Sequence, residues 1–249
     1  MKTISLLLLF FFTFPQATKP QRQVLFDFRN DHFHKPPKIS PATQRDVLAK
    51  MFRRYLTDAN RCKQGGVSGD DYLAQARKSG QIVPEIAEMA TGSFTAAGQT
   101  ETAYVVFVNE CTASHADNFG TKRVAIFQGP KMVADVDVDF HGSILLKTDL
   151  DHDGIDELLM TTGDMAQGTF VEMASLLSFQ NGRVRVIQDF GTVVADSCAS
   201  AMPGSTSKAV VLSLPNAAPF QMPKIKVDYY SAGCTKAKRW RSIKGPIED

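Results

Sequence analysis

From residue 92 onward the chain is a succession of short runs rich in β-branched and aromatic residues, and no apolar pattern of helical length interrupts them. Tyr104 to Val108, Arg123 to Phe127, Met132 to Asp139, Glu157 to Met160, Phe170 to Phe179, Val184 to Phe190, Ala209 to Leu214 and Ile225 to Tyr230 each fit a strand. Turn signals part several of them. The clearest is Asn181-Gly182, two residues that tolerate the positive φ angles a tight hairpin needs. Residues 92–249 are therefore expected to form a predominantly antiparallel β domain.

Ahead of that region the apolar spacing changes. Gln21 to Pro37 is a mixture of aromatic and charged residues and is expected to be an irregular lead-in. Ser40 can cap a helix and Pro41 suits its first position, after which Val47, Leu48, Met51, Phe52, Tyr55 and Leu56 recur at helical spacing. Ser68 and Asp71 signal a second helix through Tyr72, Leu73 and Ala76, ended by Gly80, and a third short helix is expected from Pro84 to Met89. Residues 18–91 thus form a helical segment, and the fold class is α+β.

Residues 1–17 have the three parts of a secretory signal peptide: Lys2, a largely apolar run from Ile4 to Phe14, and the exit Pro15-Gln16-Ala17. That run is shorter than the roughly 20 helical residues that cross a bilayer, and no later run is longer, so no membrane span is expected. The chain should be exported, to a periplasm or the extracellular space. All 4 cysteines follow the signal peptide, and none forms a CxxC pair, which favours disulfides over zinc or thiol redox chemistry. Four cysteines allow three connectivities. Position along the chain favours Cys198 with Cys234, flanking the last strand pair, and Cys62 with Cys111, tying the helical segment to the sheet. Lys and Arg outnumber Asp from Lys19 to Lys63, but they are spread over a helical pattern without any nucleic-acid motif, so a solvated helix face is favoured over nucleic-acid binding.

One loop carries chemistry. Asp149, Asp151 and Asp153 occupy its first, third and fifth positions, Gly154 the sixth, Ile155 the seventh and Glu157 the ninth. Alternate carboxylates can surround calcium, a hard cation that takes about six to eight oxygens, while glycine at the sixth position permits the sharp turn that aims the Ile155 carbonyl inward. Without a cation these acids repel one another. Leu150 faces away and should pack beneath the loop. Ser93 to Glu101 repeats the pattern faintly, with Phe94, Gly98 and Glu101 matching Leu150, Gly154 and Glu157, but with Ser93, Thr95 and Ala97 where the aspartates stand. A vaguer third copy begins near Asp196, with Gly204 ahead of Ala209 to Leu214.

An EF-hand would place a glutamate at the twelfth position between helices, whereas this chain has Met160 there, inside a strand-like run. The segment Asp149 to Leu159 instead resembles the calcium loops of FG-GAP and VCBS repeats, the family of integrin α-subunit propellers. That resemblance implies two to three propeller-related units. It also implies calcium held by the side chains of Asp149, Asp151, Asp153 and Glu157 and the Ile155 carbonyl, and an empty loop at 93–101. Glu157 departs from the commoner aspartate, and the chain is too short for seven blades. The expected role is an exported calcium-binding structural or interaction module whose partner is a protein or surface ligand. A secreted hydrolase with a structural calcium, or an inhibitor or binding protein of a secreted enzyme, stands as the alternative. The residues lean away from an enzyme: Ser197 lacks a nucleophile-elbow setting, and Asp164, Asp189 and Asp196 offer carboxylates without a sequence-defined pairing. His32 and His34 lack a third ligand for a transition metal, and Trp240 lies among Lys236, Lys238, Arg239 and Arg241, where packing against a cation is the expected role.

Overall fold

A computed structural model describes residues 23–30, 37–51, 85–108, 121–138, 142–166, 168–200, 203–215, 221–235 and 237–247. A short strand β1 (Gln23–Asp27) and one helix α1 (Pro41–Met51) precede a β region. There, β2 (Glu85–Gly92), β3 (Glu101–Val108), β4 (Thr121–Gln128) and β5 (Lys131–Asp137) form a four-stranded antiparallel meander. Then β6 (Ser143–Thr148), β7 (Glu157–Ala166), β8 (Thr169–Ser178) and β9 (Arg185–Asp196) form a second meander of the same order. It continues through β10 (Thr206–Leu214), β11 (Lys226–Gly233) and β12 (Arg241–Ile243) into an eight-stranded sheet that β1 completes by pairing with β10. One edge of β10 is shared, since Ser207 to Ala209 pair with β9 and Val211 to Leu214 pair with β1.

Alternation along the strands explains the layering. On β3, Ala103 and Val105 face one core while Tyr104 and Val106 face another, and Val124 and Ile126 alternate with Ala125 and Phe127 on β4. The first set meets Leu158 and Met160 of β7 and Leu177 of β8, joining the two meanders face to face. The second set is covered by Val47 and Leu48 of α1. Leu159, Ala174 and Leu176, on the far face of β7 and β8, pack with Phe28, Ala209, Val210, Leu212 and Ile225, so the paired stretches Leu158 to Thr161 and Ala174 to Leu177 are buried on both sides.

The helix starts where its cap predicts: the Ser40 hydroxyl accepts the Thr43 amide at 3.1 Å. The Asn181-Gly182 hairpin forms between β8 and β9 with both residues at positive φ, 57° and 70°. Two expectations are corrected. The helix over Pro84–Met89 is instead strand β2, where Ile86 packs beneath α1 and pairs with Val106, and a bulge between Ile86 and Glu88 breaks the alternation that would have marked it. Gln23–Asp27, expected to be irregular, is strand β1, too short to carry its own periodic signal. The helix expected from Ser68, the expected signal peptide at 1–17, His32, His34, Cys62 and Cys111 lie outside the described residues. Among the described residues no helix is long and apolar enough to cross a membrane.

Candidate metal centre

Both loops singled out by sequence join the first strand of a meander to the second. Their framing registers coincide: Gly92 pairs with Glu101 at the base of one, Thr148 with Glu157 at the base of the other. At the sixth position both glycines have left-handed backbone, φ 71° at Gly98 and 85° at Gly154. At the second position Phe94 and Leu150 are buried, and at the ninth both glutamates are buried as well.

The loops lie side by side. The Asp156 amide donates to the Ser93 carbonyl at 2.6 Å, and the Ser93 amide donates to Asp156 Oδ2 at 2.8 Å. Lys147 Nζ stands 3.3 Å from the same carboxylate. A Cβ at Gly154 would come to 3.1 Å from the Ala97 Cβ, and one at Gly92 to 2.3 Å from Asp156 Oδ2. Asp156, an acid at a position off the proposed ligand set, therefore clamps the two loops together. Nothing in the loop pattern marks that role.

Asp149, Asp151 and Asp153 each offer a carboxylate oxygen, and these oxygens all lie within 4.8 Å of one another. Two oxygens on opposite sides of a calcium ion stand about 5 Å apart, so the spread suits one hard cation. Backbone amides shape the group: Asp149 accepts those of Asp153 and Gly154 at 3.1 and 3.0 Å, and Asp153 accepts that of Ile155 at 2.8 Å. Asp151 is different. Its Oδ1 is buried and has no hydrogen-bond partner. Glu157 Oε2 accepts the Leu150 amide at 3.1 Å. Burial pushes the Glu157 carboxyl up to about 7; the Leu150 amide pulls it back, and the like charges of Asp151, Asp153 and Asp149 push it further. His152, at the fourth position, is exposed and carries a positive φ of 60°, a backbone state uncommon outside glycine. The unpartnered oxygen, the clustered carboxylates and the all-oxygen donor set fit a calcium ion. Ile155 is buried at the seventh position, beneath the turn that Gly154 makes.

The remaining sequence candidates have local duties. Asp164 Oδ1 accepts the amide of its neighbour Met165. Asp189 accepts the Ser175 hydroxyl and the Gly191 amide at the bulged centre of β9. Asp196 pairs with Lys238 at 2.6 Å and accepts the Ser207 hydroxyl. Ser197 bridges to Thr206 through reciprocal bonds at 3.0 Å. Trp240 packs under the Lys238 ammonium at 5.7 Å. Cys198 and Cys234 stand at disulfide distance, with Cα atoms 5.3 Å apart. Compared with known proteins, the chain matches no family model, no curated protein and no solved structure.

Proposed function

We propose that the chain is an exported, calcium-stabilised β module of the FG-GAP and VCBS kind, serving as a structural or interaction unit rather than as an enzyme. The observation that carries the reading is the buried, unpartnered Asp151 Oδ1 within a cluster of like-charged carboxylates. A buried acceptor left unmade costs about 1–3 kcal/mol, and a cation removes that cost together with the mutual repulsion. Because the acidic loop touches its sister through Asp156 and Ala97, a bound ion stiffens the joint between the two meanders. Two four-strand meanders with a loop at the same place support propeller-related units. A third set, with β1 as its first strand and β10 to β12 as the others, follows the same logic, closed by the N-terminal strand. Export is supported by the Cys198–Cys234 pair, since such pairs persist in oxidising compartments.

The test is a thermal melt of the mature chain with calcium and with chelator. Extracellular modules of this type hold calcium with dissociation constants of about 10⁻⁴ to 10⁻³ M, and calcium at a hundredfold excess over that value adds about 2.7 kcal/mol. Asp151→Ala and Asp153→Ala should each abolish that increment. A wild-type chain that melts at one temperature in both conditions has no working calcium site.

A further inference from the structure

The segment from Ala237 to Arg241 runs between two cavities and presents alternate residues to each, as an extended chain does. Lys238 and Trp240 line one cavity of about 370 Å³. Both cations that line it already have a carboxylate partner: Lys238 has Asp196 at 2.6 Å, and Arg29 has Asp27 at 2.7 Å. Arg239 and Arg241 line the other, of about 690 Å³, and among the described residues neither has an ion-pair partner. Among the described residues no carboxylate lines that second cavity, whereas the hydroxyl residues Thr206, Ser231 and Thr235 do.

Its frame is fixed by ordinary sheet and cross-link geometry. Arg241 on β12 pairs directly with Ser231 on β11, so their side chains share a face of the sheet. Thr206 pairs with Gly233 on the opposite edge of β11. At the rim the Thr235 amide donates to the Gly233 carbonyl and the Thr235 hydroxyl to the Ala237 carbonyl. Cys234, within that rim, is held to Cys198 across the β9–β10 connection.

We propose that this cavity is a binding site for a small oxyanionic ligand, one bearing a carboxylate, sulfate or phosphate group. Each guanidinium offers a planar fork of donors that matches two oxygens of such a group, and the Thr206 and Ser231 hydroxyls supply further donors at the wall. The site is independent of the metal loop and stands or falls separately from it.

Calorimetric titration of the full mature chain with sodium phosphate, sodium sulfate and sodium acetate, at constant ionic strength and after calcium has been removed by desalting, tests the proposal. Saturable one-to-one binding of at least one of these anions is expected, and their ranking identifies the oxyanion class. Arg239→Gln and Arg241→Gln should each weaken it about tenfold or more, and Arg241→Lys should weaken it less, because charge is kept and the fork is lost. Lys244→Gln, which removes an exposed cation elsewhere, should leave it unchanged. Unaltered melting temperatures keep misfolding from mimicking these losses. The assignment is overturned by an absence of saturation through the millimolar range, by full binding in both glutamine variants, or by an equal loss in Lys244→Gln, which would mean diffuse charge attraction.

Discussion

In the loop from Ser93 to Glu101 the ninth-position carboxylate takes the amides of Phe94 and Thr95, at 2.6 and 2.8 Å, together with the Thr95 hydroxyl. In the loop from Asp149 to Glu157 the corresponding carboxylate takes the Leu150 amide, and the residue at the third position is another acid. The frames agree in register, in the left-handed glycine and in the buried second and ninth positions. The chemistry differs at one class of atom. Thr95 brings a proton to its glutamate, whereas Asp151 brings only lone pairs and leaves one oxygen buried without a partner. One frame is completed by hydrogen; the other leaves a buried lone pair unmet.

If that account holds, the largest effect comes from emptying the self-completed loop. Glu101→Ala strands two amides and a hydroxyl around a site where the glutamate is only 2% exposed, and should cost about 3 kcal/mol or more whether or not calcium is present. Glu101→Gln should recover most of this, because its carbonyl can take both amides while the Thr95 hydroxyl turns to accept from its amide group. Denaturant unfolding of the two variants, with and without calcium, decides the matter. A calcium-dependent loss at Glu101 would mean that this loop, too, binds an ion.

The next effect exchanges the two chemistries. Asp151→Thr installs the sister's residue at the third position, with a hydroxyl able to donate to Glu157. In chelator it should stabilise the chain by about 1 kcal/mol, as a buried unmet acceptor disappears. In calcium it should lose the whole increment of about 2.7 kcal/mol. A variant that keeps the calcium increment would show that the third position is not a ligand. Asp156→Ala should behave oppositely: it removes the 2.8 Å bond to the Ser93 amide and the Lys147 contact, lowering stability by about 1–2 kcal/mol in both conditions and sparing the calcium response. Paired melts separate these outcomes.

Much of this was legible in the residues. The acid–glycine–acid spacing located the loop, Asn181-Gly182 located its hairpin, and Ser40 located the start of α1, because each signal is local and acts within a few residues. What sequence withheld depends on contacts distant along the chain. Strand β2 carries Glu88 and a bulge within a short apolar run, so its identity is set by pairing with β3 and by α1 above it. The clamp from Asp156 to Ser93 spans 63 residues, and the separation of Arg239 and Arg241 from the neutralised Lys238 needs the walls of two cavities. No periodicity encodes such neighbours.

The smallest effects sharpen the comparison at its glycines. Gly98 and Gly154 share a left-handed backbone, so alanine at either should cost about 1 kcal/mol for conformation alone. Their surroundings differ. A Cβ at Gly98 meets nothing within 4 Å, whereas one at Gly154 meets the Ala97 Cβ at 3.1 Å, inside ordinary contact distance. Gly154→Ala should therefore cost more than Gly98→Ala by some tenths of a kcal/mol, and the excess measures the contact between the loops. Gly154→Ala should also reduce the calcium increment, since it shifts the turn that carries Asp153 and Ile155, while Gly98→Ala leaves that increment intact. Adding Ala97→Gly to Gly154→Ala removes the facing methyl and should return the excess, though not the backbone cost, in a double-mutant cycle. Equal losses for the two single variants, with no rescue by Ala97→Gly, would mean that the loops do not press on one another, and that calcium in one cannot stiffen the joint with the other.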